Sequence, residues 1–376
     1  MIPSFITFRS GGSAVVCALA AIIIVAPMAA QAPPAGPPSD AVQQMNQRFE
    51  ALSHRLDQLE KAIDDVAWYH RVGDIATVEK VRIYGPPRAR VGNPTAMGAK
   101  NPVMFWAYIF VPGKLDRAKK HPLIVLPHGG VHADMNSQFS YHVVRELLTQ
   151  GYVVVAPDYR GSTGYGQGFW QAIDYGALEN EDVYASKKHV LENYDFVDPA
   201  RVGIMGWSHG GMITLMNIFE HPEDYKVAFA GVPVSDLVAR MGYQNEGYRQ
   251  LFSAPYHIGK TAREDVNEYR RRSPVTHVAK LRTPLLIHTN TNDDDVYVLE
   301  VQHLIDALKA AGKTFDSEVF QEAPGGHSFD RLDTRAAKEI RLKIYRFLAN
   351  YLQPPAPFKT ADEITRAGSP SASRGQ

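Results

Sequence analysis

An α/β architecture, a mostly parallel central sheet with helices on both faces, is the fold class these 376 residues predict. Three observations carry it. Short, wholly apolar runs recur along the chain, as at His121 to Leu126, Tyr152 to Ala156 and Val227 to Gly231, and such runs suit strands buried on both faces. Helical segments separate them, and that alternation builds parallel sheets. One run, Val202-Gly203-Ile204-Met205, passes directly into Gly206-Trp207-Ser208-His209-Gly210 and then a helical Met212 to Met216. Strand, Gly-x-Ser-x-Gly and helix in immediate succession form the context of a nucleophile elbow.

The chain begins with the parts of an export signal, residues 1–32: Arg9, an apolar run from Ala14 to Ala26, and Ala30-Gln31-Ala32 as a small-x-small cleavage site. The run is short for a membrane span and Pro27 ends it. The expectation is a periplasmic or extracellular protein with no stable membrane association once the signal is removed. Cys17, the only cysteine, falls inside that segment, so no disulfide framework is possible. Basic and acidic residues balance at 40 each, which gives no reason to expect a nucleic-acid partner.

Residues 33–66 read as a linker, Pro33 to Pro38, followed by a helix capped by Ser39 or Asp40. Val42, Met45, Phe49, Leu52, Leu56, Leu59, Ile63 and Val66 alternate three and four apart, with polar and charged residues between them. That is the pattern of a coiled-coil seam and predicts a homo-oligomer through residues 40–66. A single amphipathic helix packed on its own domain is the alternative.

The domain itself is expected over 67–353. Strands are predicted at Val103 to Phe110, His121 to Leu126, Tyr152 to Ala156, Val202 to Gly206, Val227 to Gly231, Pro284 to His288 and Phe315 to Phe320. Helices are predicted at Tyr141 to Thr149, Asp182 to Asn193 and Leu299 to Ala311. In such sheets the site forms beyond the carboxyl ends of the strands, so the residues after Leu126, Ala156, Gly206, Ile287 and Phe320 should converge. The polar, Pro/Ser/Ala-rich tail, 354–376, is expected to be disordered.

A serine hydroxyl needs a base, and the base needs an orienting group. After Ser208 the chain supplies Asn290-Thr291-Asn292-Asp293-Asp294-Asp295 beyond one strand and Gly325-Gly326-His327 beyond the last. The order Ser208, Asp293, His327 is that of a hydrolase triad. Asp293 comes first after its strand; Asp294 and Asp295 are expected to open the next helix. The same run fails as a calcium loop, because Asp295 stands where Gly is needed and Val301 where the bidentate Glu should be. For the oxyanion hole, the backbone N–H of His209 and those of Gly129 and Gly130 are the candidates. His128 and His132 have no third partner at metal-ligand spacing, so no metal is expected. Trp207, Tyr159 and Tyr165 lie beside motif residues and are candidates for substrate contact. Asp236 to Tyr269, rich in Tyr and Arg, is a candidate cap.

Several stretches together resemble a known family. His128-Gly129-Gly130, Asp158-Tyr159-Arg160-Gly161-Ser162-Thr163-Gly164-Tyr165-Gly166, Asp198-Pro199-Ala200-Arg201, Gly206-Trp207-Ser208-His209-Gly210-Gly211, Ser273-Pro274, Asp293-x-x-Val296 and Gly326-His327 fall in the order of the prolyl oligopeptidase family of serine peptidases, nearest its acylaminoacyl-peptidase branch. The resemblance spans about Trp68 to Leu352. It implies an α/β-hydrolase fold, no cofactor and a Ser208–Asp293–His327 triad. Two departures stand out. Only the seam helix lies between linker and domain, so the family's usual β-propeller is not expected. The family's His-Gly-x-x-Asp is replaced by His288-Thr289-Asn290-Thr291-Asn292-Asp293, one residue longer and without glycine. Three functions follow: a peptidase acting on short or acylated peptides, a carboxylesterase with the same triad, or a non-catalytic binding protein built on the seam helix.

Overall fold

The computed structural model describes residues 40–368. The export signal, Cys17, the linker and the cap residue Ser39 lie outside that range. In chain order the elements are α1 (Asp40–Val72), β1 (Ala76–Pro87), β2 (Pro102–Pro112), β3 (His121–Val125), α2 (Ser137–Gln150), β4 (Val153–Asp158), α3 (Gln167–Trp170), α4 (Leu178–Asn193), β5 (Val197–Trp207), α5 (His209–Glu220), β6 (Val227–Gly231), α6 (Leu237–Tyr243), α7 (Glu246–Ser253), α8 (Val266–Arg271), β7 (Leu285–Asn290), α9 (Val298–Ala310), β8 (Asp316–Phe320), α10 (Arg335–Leu352) and α11 (Ala361–Gly368).

The strands form one eight-stranded sheet ordered β1-β2-β4-β3-β5-β6-β7-β8. β3 to β8 run parallel to one another, and β2 joins β4 antiparallel with β1 outside it. All residues of β3, β4, β6 and β7 are buried, as strands covered on both faces require. Two apolar cores follow. One contains Val125, Val155, Ile204, Ile213 and Ile287; the other contains Ile124, Val154, Met205, Phe229 and Leu348. Successive residues of each strand point to opposite faces.

Two boundaries differ from expectation. No break falls at 66–67: α1 runs unbroken to Val72, and from Arg48 onward the chain belongs to one compact unit with the sheet. Lys61, Asp64, Trp68 and Val72 are buried there. The tail is also ordered as far as Gly368. Phe358, Ile364 and Ala367 are buried against a core that includes Leu147, Leu148, Tyr345 and Leu348. Three apolar anchors outweigh a composition that reads as disordered; residues 369–376 lie outside the described range. No helix among the described residues is long and apolar enough to cross a membrane.

Candidate active site

The elbow is built by close backbone contact. Ser208 joins β5 to α5 with φ 59° and ψ −122°, a left-handed conformation that costs a non-glycine residue of order 1–3 kcal/mol. Its N–H donates to the Gly231 carbonyl at 2.9 Å, and its carbonyl accepts from Met212 at 3.0 Å. A Cβ on Gly206 would lie 2.4 Å from the Gly210 carbonyl oxygen, and one on Gly210 would lie 2.4 Å from the Pro127 oxygen. Neither position tolerates a side chain.

The loop after β3 closes over the serine. A Cβ on Gly129 would lie 3.0 Å from the Trp207 oxygen and 3.4 Å from the Ser208 Cβ. Gly130 has φ 72°, a conformation that favours glycine. The Tyr159 hydroxyl lies 3.0 Å from the carbonyl oxygen of His128 and 3.1 Å from that of Gly130, while its ring stacks on His128 at 4.1 Å. His128 Nε2 lies 2.9 Å from the Ser162 hydroxyl, and burial pushes this imidazole below its ordinary pKa. Tyr159 is fully buried and His128 nearly so. Their contacts hold the loop in place.

After β7 the chain turns so that the Asp293 N–H donates to the Asn290 carbonyl. Asn290, buried at the strand end, donates from its amide to the carbonyls of Ala323 and Gly326 at 2.9 and 3.1 Å, tying this loop to the one carrying His327. Asn290 thus serves as a brace between the two loops. Asp293 accepts the N–H groups of Asp295 and Val296 at 2.9 Å each, and its carboxylate lies 2.8 Å from His327 Nδ1. Asp294 is exposed. Asp295 lies on the opposite edge of the ring, 3.7 Å from Nε2, with Arg240 at 2.6 Å. Asp294 and Asp295 were expected to open the next helix, but α9 starts only at Val298; before it the N–H groups of Asp295 and Val296 bond to the Asp293 carboxylate in a turn.

Ser208 and His327 share the walls of a cavity of about 380 Å³, with Gly129, Gly130, Trp207, Met135, Phe139, Asp295 and Arg331. A second cavity of about 220 Å³ also borders Ser208 and His209, lined by Val131, Tyr175, Val234, Leu251 and Phe252 together with the paired Arg240 and Asp295. Leu251 and Phe252 come from α7, so the segment Asp236 to Tyr269 does wall the site. The Trp207 indole borders the larger cavity and donates to Asp330 at 2.7 Å. Tyr165 lines neither cavity; its hydroxyl donates to the buried carboxylate of Asp158 at 2.5 Å, which Lys61 also pairs at 2.9 Å. Tyr159 and Tyr165 are therefore packing residues, although their motif had suggested substrate contact. Sequence reasoning missed Phe139, Asp295 and Arg331. Arg331 donates to the His327 carbonyl, and nothing local in its sequence marks that contact. Among the described residues no group of three or more His, Cys, Asp or Glu is placed to hold a metal ion.

The model of the prolyl oligopeptidase family matches residues 137–355. An uncharacterized peptidase of Bacillus subtilis (strain 168) is 32% identical over 213 residues, 56% of this chain and 32% of that protein. The acylamino-acid-releasing enzyme of Arabidopsis thaliana is 29% identical over 270 residues, 70% of this chain and 35% of its own length. The chain therefore spans about a third of these relatives. Among solved structures, the acylaminoacyl peptidase of Pyrococcus horikoshii superposes with a TM-score of 0.61 at 19% identity, covering 77% of this chain and 44% of that one. A Mycobacterium tuberculosis puromycin-hydrolyzing peptidase gives 0.60 at 22% identity, covering 76% and 41%. At these identities the structural likeness establishes an α/β-hydrolase fold. The family model covers more than half of the residues, so the chain belongs to the prolyl oligopeptidase family of serine peptidases.

Proposed function

We propose that this protein hydrolyses short or acylated peptides through an acyl-enzyme on Ser208. The observation that carries the reading is a strained serine sharing one cavity with His327, whose Nδ1 lies 2.8 Å from the buried Asp293 carboxylate. With Nδ1–H donating to Asp293, Nε2 is left as the base. It takes the Ser208 Oγ proton as the oxygen attacks the scissile carbonyl carbon. The tetrahedral oxyanion is received by the N–H of His209, at the start of α5, and by the Gly129–Gly130 backbone. The imidazolium then gives its proton to the leaving nitrogen, and the C–N bond breaks. His327 Nε2, unprotonated again, then takes a proton from a water that attacks the acyl carbon; the bond from that carbon to Ser208 Oγ breaks, and the imidazolium returns the proton to Oγ.

The apolar lining of the smaller cavity favours a medium-sized apolar or aromatic side chain on the acyl side of the bond. The names of the relatives support peptides as substrates. The open cavities also favour a second reading, a carboxylesterase with the same triad. A p-nitroanilide and a p-nitrophenyl ester of N-acetyl-alanine separate the two, with Ser208→Ala as blank. Anilide turnover that disappears in the variant supports the peptidase, and ester turnover alone supports the esterase. Export is the reading of residues 1–32; an intact Met1 on protein recovered from the producing cell's exterior would refute cleavage.

A further inference from the structure

The helix α1 packs with its polar side inward and its apolar side outward. From His54 on, the residues that meet the sheet domain recur three and four apart. His54 meets Trp170 ring to ring at 5.7 Å; Lys61 pairs with Asp134 at 2.8 Å and Asp158 at 2.9 Å; Asp64 accepts from the Ser137 N–H at 2.9 Å; Asp65 pairs with Lys80 at 2.7 Å; Trp68 is fully buried. If Leu56 and Ile63 occupy heptad position a, and Leu59 and Val66 position d, these docking residues fall at b, c and f, the outer face of a coiled coil. The seam side chains Val42, Met45, Phe49, Leu52, Leu56, Leu59, Ile63 and Val66 are all exposed, from 40% at Val42 to 71% at Ile63. A helix serving only its own domain would be the other way round.

We propose that this face is covered by the same face of a second copy of the chain, as a parallel two-stranded coiled coil with one domain on the outside of each helix. Four lines on the same helix point there. The spacing is strict over Val42 to Val66, and a narrow a/d stripe of that kind matches knobs-into-holes packing rather than a broad membrane-lying face. Two of the four a positions are β-branched, Val42 and Ile63, and two of the four d positions are Leu52 and Leu59, the pairing of two parallel strands, with Phe49 and Leu56 at the other a positions and Met45 and Val66 at the other d positions. Arg55 at g and Glu60 at the following e are both exposed, and in the parallel arrangement each Arg55 faces the partner's Glu60; antiparallel packing would set like positions together. Finally, the exposed seam amounts to roughly 800 Å² on one helix, the share each partner gives to a standard protein interface.

Sedimentation equilibrium of the purified protein at micromolar concentration tests this, and twice the mass of one chain is expected. Leu56→Asp with Ile63→Asp should raise the dissociation constant by at least about two orders of magnitude. Because neither side chain packs on its own domain, the urea unfolding of the domain and its ester hydrolysis should be unchanged. Arg55→Glu alone should weaken the dimer, and Arg55→Glu with Glu60→Arg should restore it. A monomeric wild type, a dimer that survives the paired aspartates, or a charge swap without rescue would each overturn the proposal. So would a monomer that floats with phosphatidylcholine vesicles, which would give the face to a membrane.

Discussion

The carboxylate of Asp293 lies 2.8 Å from His327 Nδ1, and its Oδ1 also accepts the N–H groups of Asp295 and Val296. The group that orients the imidazole is thus itself held by the turn. Asp293→Asn should leave the fold intact and lower kcat by about 10⁴-fold, because the amide favours the wrong tautomer. Asp294→Asn, on an exposed neighbour, should stay within about twofold, since surface changes away from the chemistry are nearly neutral. Steady-state kinetics of the two variants check the assignment, and a reversed ranking would move the triad carboxylate.

Gly206 and Gly210 make a prediction about folding rather than chemistry. Ala at either forces a Cβ to within 2.4 Å of a backbone carbonyl oxygen, so loss of soluble protein, or destabilisation by at least about 3 kcal/mol, is expected. Gly242, in α6 with open space around it, is the control. Gly242→Ala should be neutral or stabilise by up to about 1 kcal/mol in urea unfolding.

The ordered C-terminal segment should contribute measurable stability. Ile364 is fully buried, and Ile364→Ala should cost about 2–4 kcal/mol by urea unfolding. A change below about 0.5 kcal/mol would mean that α11 does not dock in solution.

His288 gives a pH signature. Burial between Phe229 and Phe320 pushes its imidazole down to about 3, whereas the unfolded chain titrates near the ordinary value of about 6.5. Its contribution to stability is complete above pH 6.5. As pH falls from there toward 3, the unfolded state takes up a proton that the folded state refuses, and stability drops by up to about 1.4 kcal/mol per pH unit. His288→Leu removes that proton, so its stability should fall less steeply with acidification than the wild type's. Parallel curves from pH 7 to pH 5 would contradict the account.

Much of this was legible in the sequence because the relevant signals are local. The strands β3 to β7 contain apolar runs, the elbow and Asp293 each follow one, and His327 lies in the glycine loop after β8. The edge strand β1 went unread because Glu79, Lys80 and Arg82 interrupt its apolar residues, as befits a strand with one exposed edge. The helix α10 went unread although Ala337, Ile344, Tyr345, Leu348 and Leu352 line its buried face; Arg341, paired with Glu146 at 2.8 Å, is the one charged residue buried among them. Tyr159 and Tyr165 carried the opposite hazard. Sequence adjacency to a motif does not reveal which way a side chain points, and both turn inward. The site-lining Phe139 and Arg331 come from segments 69 residues before and 123 residues after Ser208, and only the fold brings them together.

The central claim is that Ser208 is a nucleophile activated by His327. Labelling with a fluorophosphonate, followed by peptide mass spectrometry, tests it without assuming a substrate. The account predicts one adduct per chain, on the peptide containing Ser208, with labelling slowed by at least about 10³-fold in His327→Ala. An adduct on another residue, or equal rates in the two proteins, would contradict it.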